Sequence, residues 1–374
     1  MDRVSNLPPP VHSQPSTSSA AVRTGERPLV SVVVPALNCA NDVDGFAACM
    51  RAQTYPADRF EVIVVDNGSS DDTFERARRA GLTVVLRPER GRSKALNAGL
   101  ARARGEYILT TDLSCRAAAD WIEAIVATFE AHPNAACVAG DIRLLKTSEG
   151  PAIRFQQRND YMSPLLALSR NRLPFLPFAD GANASFTRRL FKEIGGFEET
   201  FSKAADVEIC YRLLVMTDYE IVFNRHALMW EPGEENLRAL LRQRLRMGLG
   251  SCLLARRFPG FYISAEEGSR DVRAIYWRWR SDLRRLFELA RLNASALVGR
   301  GRATAEDANI RFLMGVAQRL GERRGRRQMH RERVLPHAID STRIADFVSS
   351  VNAELPRRIK VVAIPTRAST GPAL

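Results

Sequence analysis

The chain has 374 residues, 45% hydrophobic and 26% charged, which argues against a low-complexity polypeptide and leaves one large or two smaller globular domains. Lys and Arg exceed Asp and Glu by 13, so the surface suits anionic partners: nucleotide phosphates, lipid headgroups, nucleic acid or acidic glycans. Six cysteines without a CxxC pair, and five histidines, argue against a disulfide framework or zinc cluster and favour a reducing compartment. Residues 1–28, rich in Pro, Ser and Thr, read as a disordered tail without a signal-type apolar segment. The longest uncharged stretch after it, Pro28–Asn41, has 14 residues and two prolines, short of the roughly 20 apolar residues of a spanning helix.

Order begins at LVSVVVP, 29–35, a β-branched run expected to form a buried parallel strand. The pattern then predicts a helix over 42–53, a strand at 61–66, a helix over 72–80 stopped by Gly81, a strand at 82–87, a helix over 93–104 and a strand at 106–112. This alternation predicts an α/β sheet wound with helices, whose ligands bind beyond the carboxyl ends of the strands. Asp66, Asp112 and the Pro35–Asn38 turn all fall there. After a helix at 121–131 the pattern loosens into short strands and Pro-rich loops over 140–187, including LPFLPF at 173–178. Helices are expected at 188–194 and 206–216, and a strand at 219–223. From about Glu235 the chain reads as helical. Leu237, Leu241, Leu245, Leu249 and Leu253 form an apolar stripe beside Arg238, Arg242 and Arg246. The stretch 319–333 carries seven arginines.

Two segments carry chemistry. In VVDNGSSDDT, 64–73, a strand ends on Asp66 and a helix opens near Asp72. A carboxylate there can bind a base or ribose hydroxyl, and helix N-terminal amides suit phosphates; equally, Asp71 or Asp72 can serve only as a helix cap. In GRSKALNAGLARARGEYILTTDLS, 91–114, Arg92 and Lys94 open a helix near the ligand edge, where a cation can neutralise a diphosphate. Arg92 by itself reads as part of a solvated basic turn.

Together with VSVVVPALN (30–38), QTYPADRFEV (53–62), DGANASFTRRLFKEIGGFEETF (180–201) and AADVEICYRL (204–213), these segments resemble family 2 glycosyltransferases of the GT-A fold. The resemblance covers about 29–250. It implies a Rossmann-like mixed sheet flanked by helices, with a nucleotide-binding part at 29–115, an acceptor part at 116–250 and a helical, basic region at 251–374. It also implies inverting transfer from a nucleoside-diphosphate sugar to a glycan or lipid-linked acceptor. By resemblance Pro35, Ala36 and Asn38 shape the base pocket, and Asp66 holds the base or ribose. Asp112 opens the family's DxD element at ribose and metal, and Asn183 falls at the acceptor side. Asp206 falls where the family places its catalytic base, while by itself it reads as an N-terminal helix cap. An acceptor hydroxyl has a pKa far above 7, and a carboxylate that takes its proton contributes about 10²–10⁴-fold.

The sequence departs from the family at linked places. The DxD element reads Asp112-Leu113-Ser114, the Glu before the base is Ala205, and Trp230 stands where relatives commonly place a histidine. Mg²⁺ or Mn²⁺, usual for the family, would keep Asp112 and lose two partners, since Trp cannot ligate. Two outcomes follow: a metal-independent transferase in which Lys94 and nearby arginines meet the diphosphate, or an inactive nucleotide-sugar-binding protein. LRQRLRM, 241–247, resembles the QxxRW element of processive members and keeps Gln243 and Arg246 on the acceptor side, with Met247 for the Trp. The basic stretches fit an anionic membrane surface, reached peripherally from the cytoplasm. Nucleic acid, with Trp277 and Trp279 as stacking candidates, is the weaker partner because no recognised nucleic-acid module accompanies them.

Overall fold

The computed structural model describes residues 26–145, 148–164, 176–201, 203–259, 261, 272–297, 299, 301–329 and 338–362. Most of the expected tail, residues 173–175 of the Pro-rich segment, and Arg331 and Arg333 lie outside these. So do the side chains of Trp277 and Trp279.

The β-branched run forms β1 (Val30–Ala36) at the centre of a parallel set with β2 (Phe60–Asp66), β3 (Thr83–Leu86) and β4 (Tyr107–Thr110). Both faces of β1 are covered, as an uninterrupted apolar strand requires. Val30, Val32 and Val34 face α1 (Val43–Arg51) and α4 (Trp121–Ala131), joining Phe46, Met50, Trp121 and Ile125 in one core. Val33 faces the other way, with Ile63 and Val65 of β2, towards Ala95 and Leu96 of α3 (Arg92–Arg102). The short helix α2 (Thr73–Arg79) links β2 to β3.

Beyond β4 the pairing turns antiparallel. Strand order is β3-β2-β1-β4-β7-β6-β8-β5, with β7 at Ala184–Thr187, β6 at Ala135–Leu145, β8 at Glu220–Pro232 and β5 at Arg116–Ala117. β7 runs antiparallel to both β4 and β6, so the sheet is mixed. This half departs most from the expected elements. β6 has 11 residues and β8 has 13, where short strands were expected, and α5 (Pro151–Arg158) was not foreseen. The pairing of β6 with β8 shifts register after Gly140 and Asn224, and that bulge breaks the alternation by which a strand is recognised.

Helix α6 (Arg188–Ile194) follows β7, and α7 (Ala205–Met216) precedes β8. Buried Glu208 joins α7 to α8 (Leu237–Arg257): it pairs with Arg212 at 2.9 Å and with Arg257 at 3.0 Å. The expected boundary at 250 falls inside α8. A second antiparallel pair, α9 (Val272–Leu297) and α10 (Arg302–Met329), packs through α10 onto α8 and α5. Finally α11 (Ser341–Arg358) returns to the core, and β9 (Ile359–Val361) pairs with β8. Ile344, Phe347, Val351 and Leu355 of α11 share the core of α7, so the chain beyond 250 is partly built into the sheet domain.

Candidate active site

The carboxyl ends of β1, β2 and β4 open on one edge, because parallel pairing sets Ala36 beside Asp66 and Val33 beside Thr110. Asp66 ends β2 almost fully buried, and its Oδ1 accepts from Ser69 N at 2.8 Å. The turn after it is tied to the loop after β1. Asn38 adopts a left-handed φ of 54°. Its N–H donates to Ser69 Oγ at 3.0 Å, and its Oδ1 accepts from Ser70 N at 2.8 Å. A non-glycine residue there costs on the order of 1 kcal/mol, and these two bonds offset it. Ala36 turns its methyl into the core while its carbonyl accepts from Asn67 N at 2.9 Å. Pro35, Ala36, Asn38 and Asp66 are therefore brought to one turn.

A second cluster lies at the end of β4. Asp112 follows β4 by two residues, and the guanidinium of Arg92, at the start of α3, is hydrogen-bonded to it. Arg92 Nη2 also donates to Gly181 O at 3.2 Å. Gly181 N in turn donates to Asp206 Oδ2 at 3.0 Å, and Thr110 Oγ1 donates to Ala184 O at 3.0 Å. The 180–184 loop thereby fixes the end of β4 against the start of α7. A Cβ at Gly181 would meet Arg92 Nη2 at 3.2 Å and Asp206 Oδ2 at 3.5 Å, so a side chain there would displace the Arg92 guanidinium by a few tenths of an ångström. Ala204, two residues before Asp206, has a φ of 63°, a second left-handed position beside this cluster.

Charges of alternating sign face each other here. Burial would lower the pKa of Arg92, but Asp112, Asp206 and Asp180 outweigh it and raise it. Burial, then the neighbouring Asp206 carboxylate, raises Asp180 from 3.8 to about 6. Burial also pushes Glu231 upward, followed by Asp180 and Asp112. Lys203 is lowered, first by burial and then by Arg92 and Arg246. Arg92, Asp180, Lys203 and Glu231 thus join Asp112 and Asp206. Arg92, expected by itself in a solvated basic turn, is instead held inside this cluster, and Asp180, Lys203 and Glu231 carry no expectation from the sequence. Asp180 does lie in the quoted DGANASF segment, and Glu231 directly follows Trp230, which was the available signal.

The remaining expected residues sit elsewhere. Lys94 pairs with Glu89 at 3.4 Å. Two residues on one helix are about 200° apart, so Arg92 and Lys94 cannot both face the acidic cluster, and Arg92 is the one that does. Asn183 is 1% exposed and faces the core. Its amide donates to Asp141 O and Ala227 O, each at 2.8 Å, and accepts from Trp121 Nε1 at 2.8 Å. It locks the β6–β8 bulge and has no group left for an acceptor. Gln243 Oε1 accepts from Tyr161 OH at 3.1 Å, while Arg246 is exposed near Lys203.

The donor set does not fit a divalent cation. Asp112 is engaged by Arg92, Ser114 offers a neutral hydroxyl, and Trp230 is paired with Arg116 across β8 and β5. Among the described residues, no three His, Cys, Asp or Glu side chains converge to hold an ion.

The glycosyl transferase family 2 model matches residues 31–195. Glycosyltransferase AglE of Haloferax volcanii is 26% identical over 235 residues, covering 61% of this chain and 74% of that protein. Poly-β-1,6-N-acetyl-D-glucosamine synthase of Staphylococcus epidermidis is 25% identical over 228 residues, covering 59% of this chain; the match spans 54% of the relative, about half its length. Among solved structures, the mannosyltransferase PcManGT of Pyrobaculum calidifontis, in complex with GDP-Man and Mn²⁺, superposes with a TM-score of 0.56 at 24% identity, over 80% of this chain and 87% of that one. The mixed, curled sheet with flanking helices is the GT-A fold.

Proposed function

We propose that this chain, whose residues 31–195 match the glycosyl transferase family 2 model, acts as a glycosyltransferase of that family and moves a sugar from a nucleoside-diphosphate sugar to a hydroxyl of a glycan or lipid-linked acceptor, with inversion. The Asn38–Asp66 turn holds the nucleoside: a buried carboxylate at a strand end suits a base or ribose donor. Asp112 lies at the ribose side. Asp206, fixed by Gly181 N, takes the acceptor proton as the hydroxyl attacks the anomeric carbon and the nucleoside diphosphate departs.

The observation that carries this reading is Arg92, held between Asp112 and Gly181 O and adjoining Asp206. Its fixed positive charge supports stabilisation of the leaving diphosphate by a side chain, with no step assigned to a metal. Swinging from Asp112 to phosphate oxygens would exchange one charge-assisted bond for another, which keeps the motion inexpensive. Electrostatic groups aimed at developing charge contribute about 3–4 kcal/mol each when buried. Lys94 is an outer reserve, separated from the cluster by its pairing with Glu89.

The test is a thermal-shift screen against nucleoside diphosphates and nucleotide-sugars, with and without EDTA, followed by turnover measured as released diphosphate. The expected result is a shift of several degrees with one nucleotide class and a turnover that EDTA leaves unchanged. Arg92→Ala should reduce that turnover by about 10²-fold, and Arg92→Lys should restore part of it. A strict Mn²⁺ requirement would overturn the role given to Arg92. Absence of a shift with every nucleotide would favour a non-enzymatic role. The excess of basic residues and the cysteine pattern support a cytoplasmic protein with peripheral access to an anionic membrane. No described helix is long and apolar enough to cross a membrane.

A further inference from the structure

Helix α9 presents two unlike faces. One is fixed against α10 by a reciprocal amide pair, with Asn293 Nδ2 donating to Asn309 Oδ1 at 3.0 Å and Asn309 Nδ2 to Asn293 Oδ1 at 2.9 Å. Leu289 and Leu292 lie on this side, lining a cleft of about 330 Å³ with Phe312 of α10. The amide pair sets the rotation of α9 and therefore decides what the opposite face shows.

The other face is apolar and, among the described residues, exposed. Leu286 is 47% exposed, Phe287 75% and Leu297 86%, with Ala290 and Ala294 exposed between them. The positions 287, 290, 294 and 297 repeat at three- and four-residue steps, one stripe of a helix. The sequence continues the same steps backwards through Leu283, Trp279 and Tyr276. Arg284 and Arg291 are exposed beside the stripe. From Val272 to Arg302 the chain carries eight arginines against Asp282 and Glu288. A second copy of this helix would bring like charges together. An anionic bilayer offers phosphates to the arginines and acyl chains to the stripe.

We propose that the outer face of α9 docks on an anionic lipid bilayer, lying in the plane of the headgroups with Phe287 and Leu297 inserted and the flanking arginines on lipid phosphates. This gives the peripheral membrane contact of the preceding reading a defined surface. It is separate from the sheet edge at which the nucleotide is placed. Aromatic and leucine side chains with arginine at the margins are the composition that such interfacial helices require.

The test uses the full chain in flotation with phosphatidylcholine vesicles containing about one-quarter phosphatidylglycerol, compared with pure phosphatidylcholine. Binding is expected only to the anionic vesicles, and it should fall steeply as salt screens the arginines. The double variant F287E/L297E should lower the vesicle-bound fraction about tenfold while its melting temperature and its nucleotide-induced shift remain those of the wild type. Unchanged flotation of that variant would overturn the assignment to α9. So would light scattering that shows a dimer abolished by the same variant without vesicle binding. Vesicle binding with no nucleotide shift would sink the proposed transferase and leave this surface standing.

Discussion

Among the described residues Asp206 is held by backbone donors, and this makes it a clean target at the residue scale. Gly181 N donates to Oδ2 and Val207 N to Oδ1, both at 3.0 Å. Asparagine keeps one acceptor oxygen in the same place and removes the carboxylate proposed as the base. Asp206→Asn should therefore leave the nucleotide-induced thermal shift intact and lower kcat by about 10²–10⁴-fold. Loss of nucleotide binding instead would mean that the residue positions the donor. Asp180 makes a different demand. Its carboxyl is raised from 3.8 to about 6, mainly by burial and then by Asp206. The folded protein keeps that proton after the unfolded chain has lost it. Between about pH 4 and pH 6 the folded state binds more protons, so stability falls as pH rises through this window. Asp180→Asn removes the contribution. The melting temperature of the wild type should drop relative to the variant from about pH 4 to pH 7, and parallel pH profiles would sink the assignment.

At the element scale, α8 and α10 approach through glycine. A Cβ at Gly321 would lie 2.0 Å from Leu245 O, and one at Gly248 2.2 Å from Gln318 O. Nothing lies within 4 Å of the corresponding position at Gly315 on the same helix. Alanine is favoured over glycine inside a helix by about 1 kcal/mol. Gly315→Ala should therefore raise the melting temperature. At Gly321 the clash with a backbone oxygen outweighs that gain, since overpacking costs about 1–3 kcal/mol, and Gly321→Ala should lower it. If calorimetry found both variants stabilised, the helices would not meet this closely. The expected stripe of Leu237, Leu241, Leu245, Leu249 and Leu253 is only half-buried. The buried positions are Leu240, Gly248, Gly250, Cys252 and Leu254. Gly248 and Cys252 meet α10 closely, Leu240 packs with Ile310 and Met314 of α10, Gly250 lies against Ala204, and Leu254 joins the sheet core.

On the scale of the whole molecule, the C-terminal segment closes the domain. Ile344, Phe347, Val351 and Leu355 bury against α7 and its neighbours, and Arg358 caps the turn between α7 and β8. Its Nη1 donates to Leu214 O at 2.8 Å and its Nη2 to Tyr219 O at 2.9 Å. Each buried aliphatic or aromatic side chain contributes about 1.5–3 kcal/mol, so four of them approach the whole stability of a domain. Truncation after residue 337 should yield an aggregating or unfolded protein by circular dichroism. A truncated chain that melts like the full one would show that α11 and β9 are dispensable.

Much of the first half was legible in the sequence because its signals are local. A parallel strand buried on both faces reads as a β-branched run, which placed β1 and β2 within a residue or so and put Asp66 at the sheet edge. Short motifs in a fixed order pointed to the family whose model matches residues 31–195 and to the GT-A sheet. The sequence could not choose between Arg92 and Lys94, because both open the same helix and only packing decides which side faces Asp112. Nor could it show that Asn183 would turn inward to hold a bulge made by residues over 40 positions away on both sides. The membership of α11 and β9 in the core was hidden for the same reason. Local pattern fixes which elements form and where their ends lie. The partners of a charged or amide side chain depend on contacts distant in the chain, and only the tertiary structure decided those.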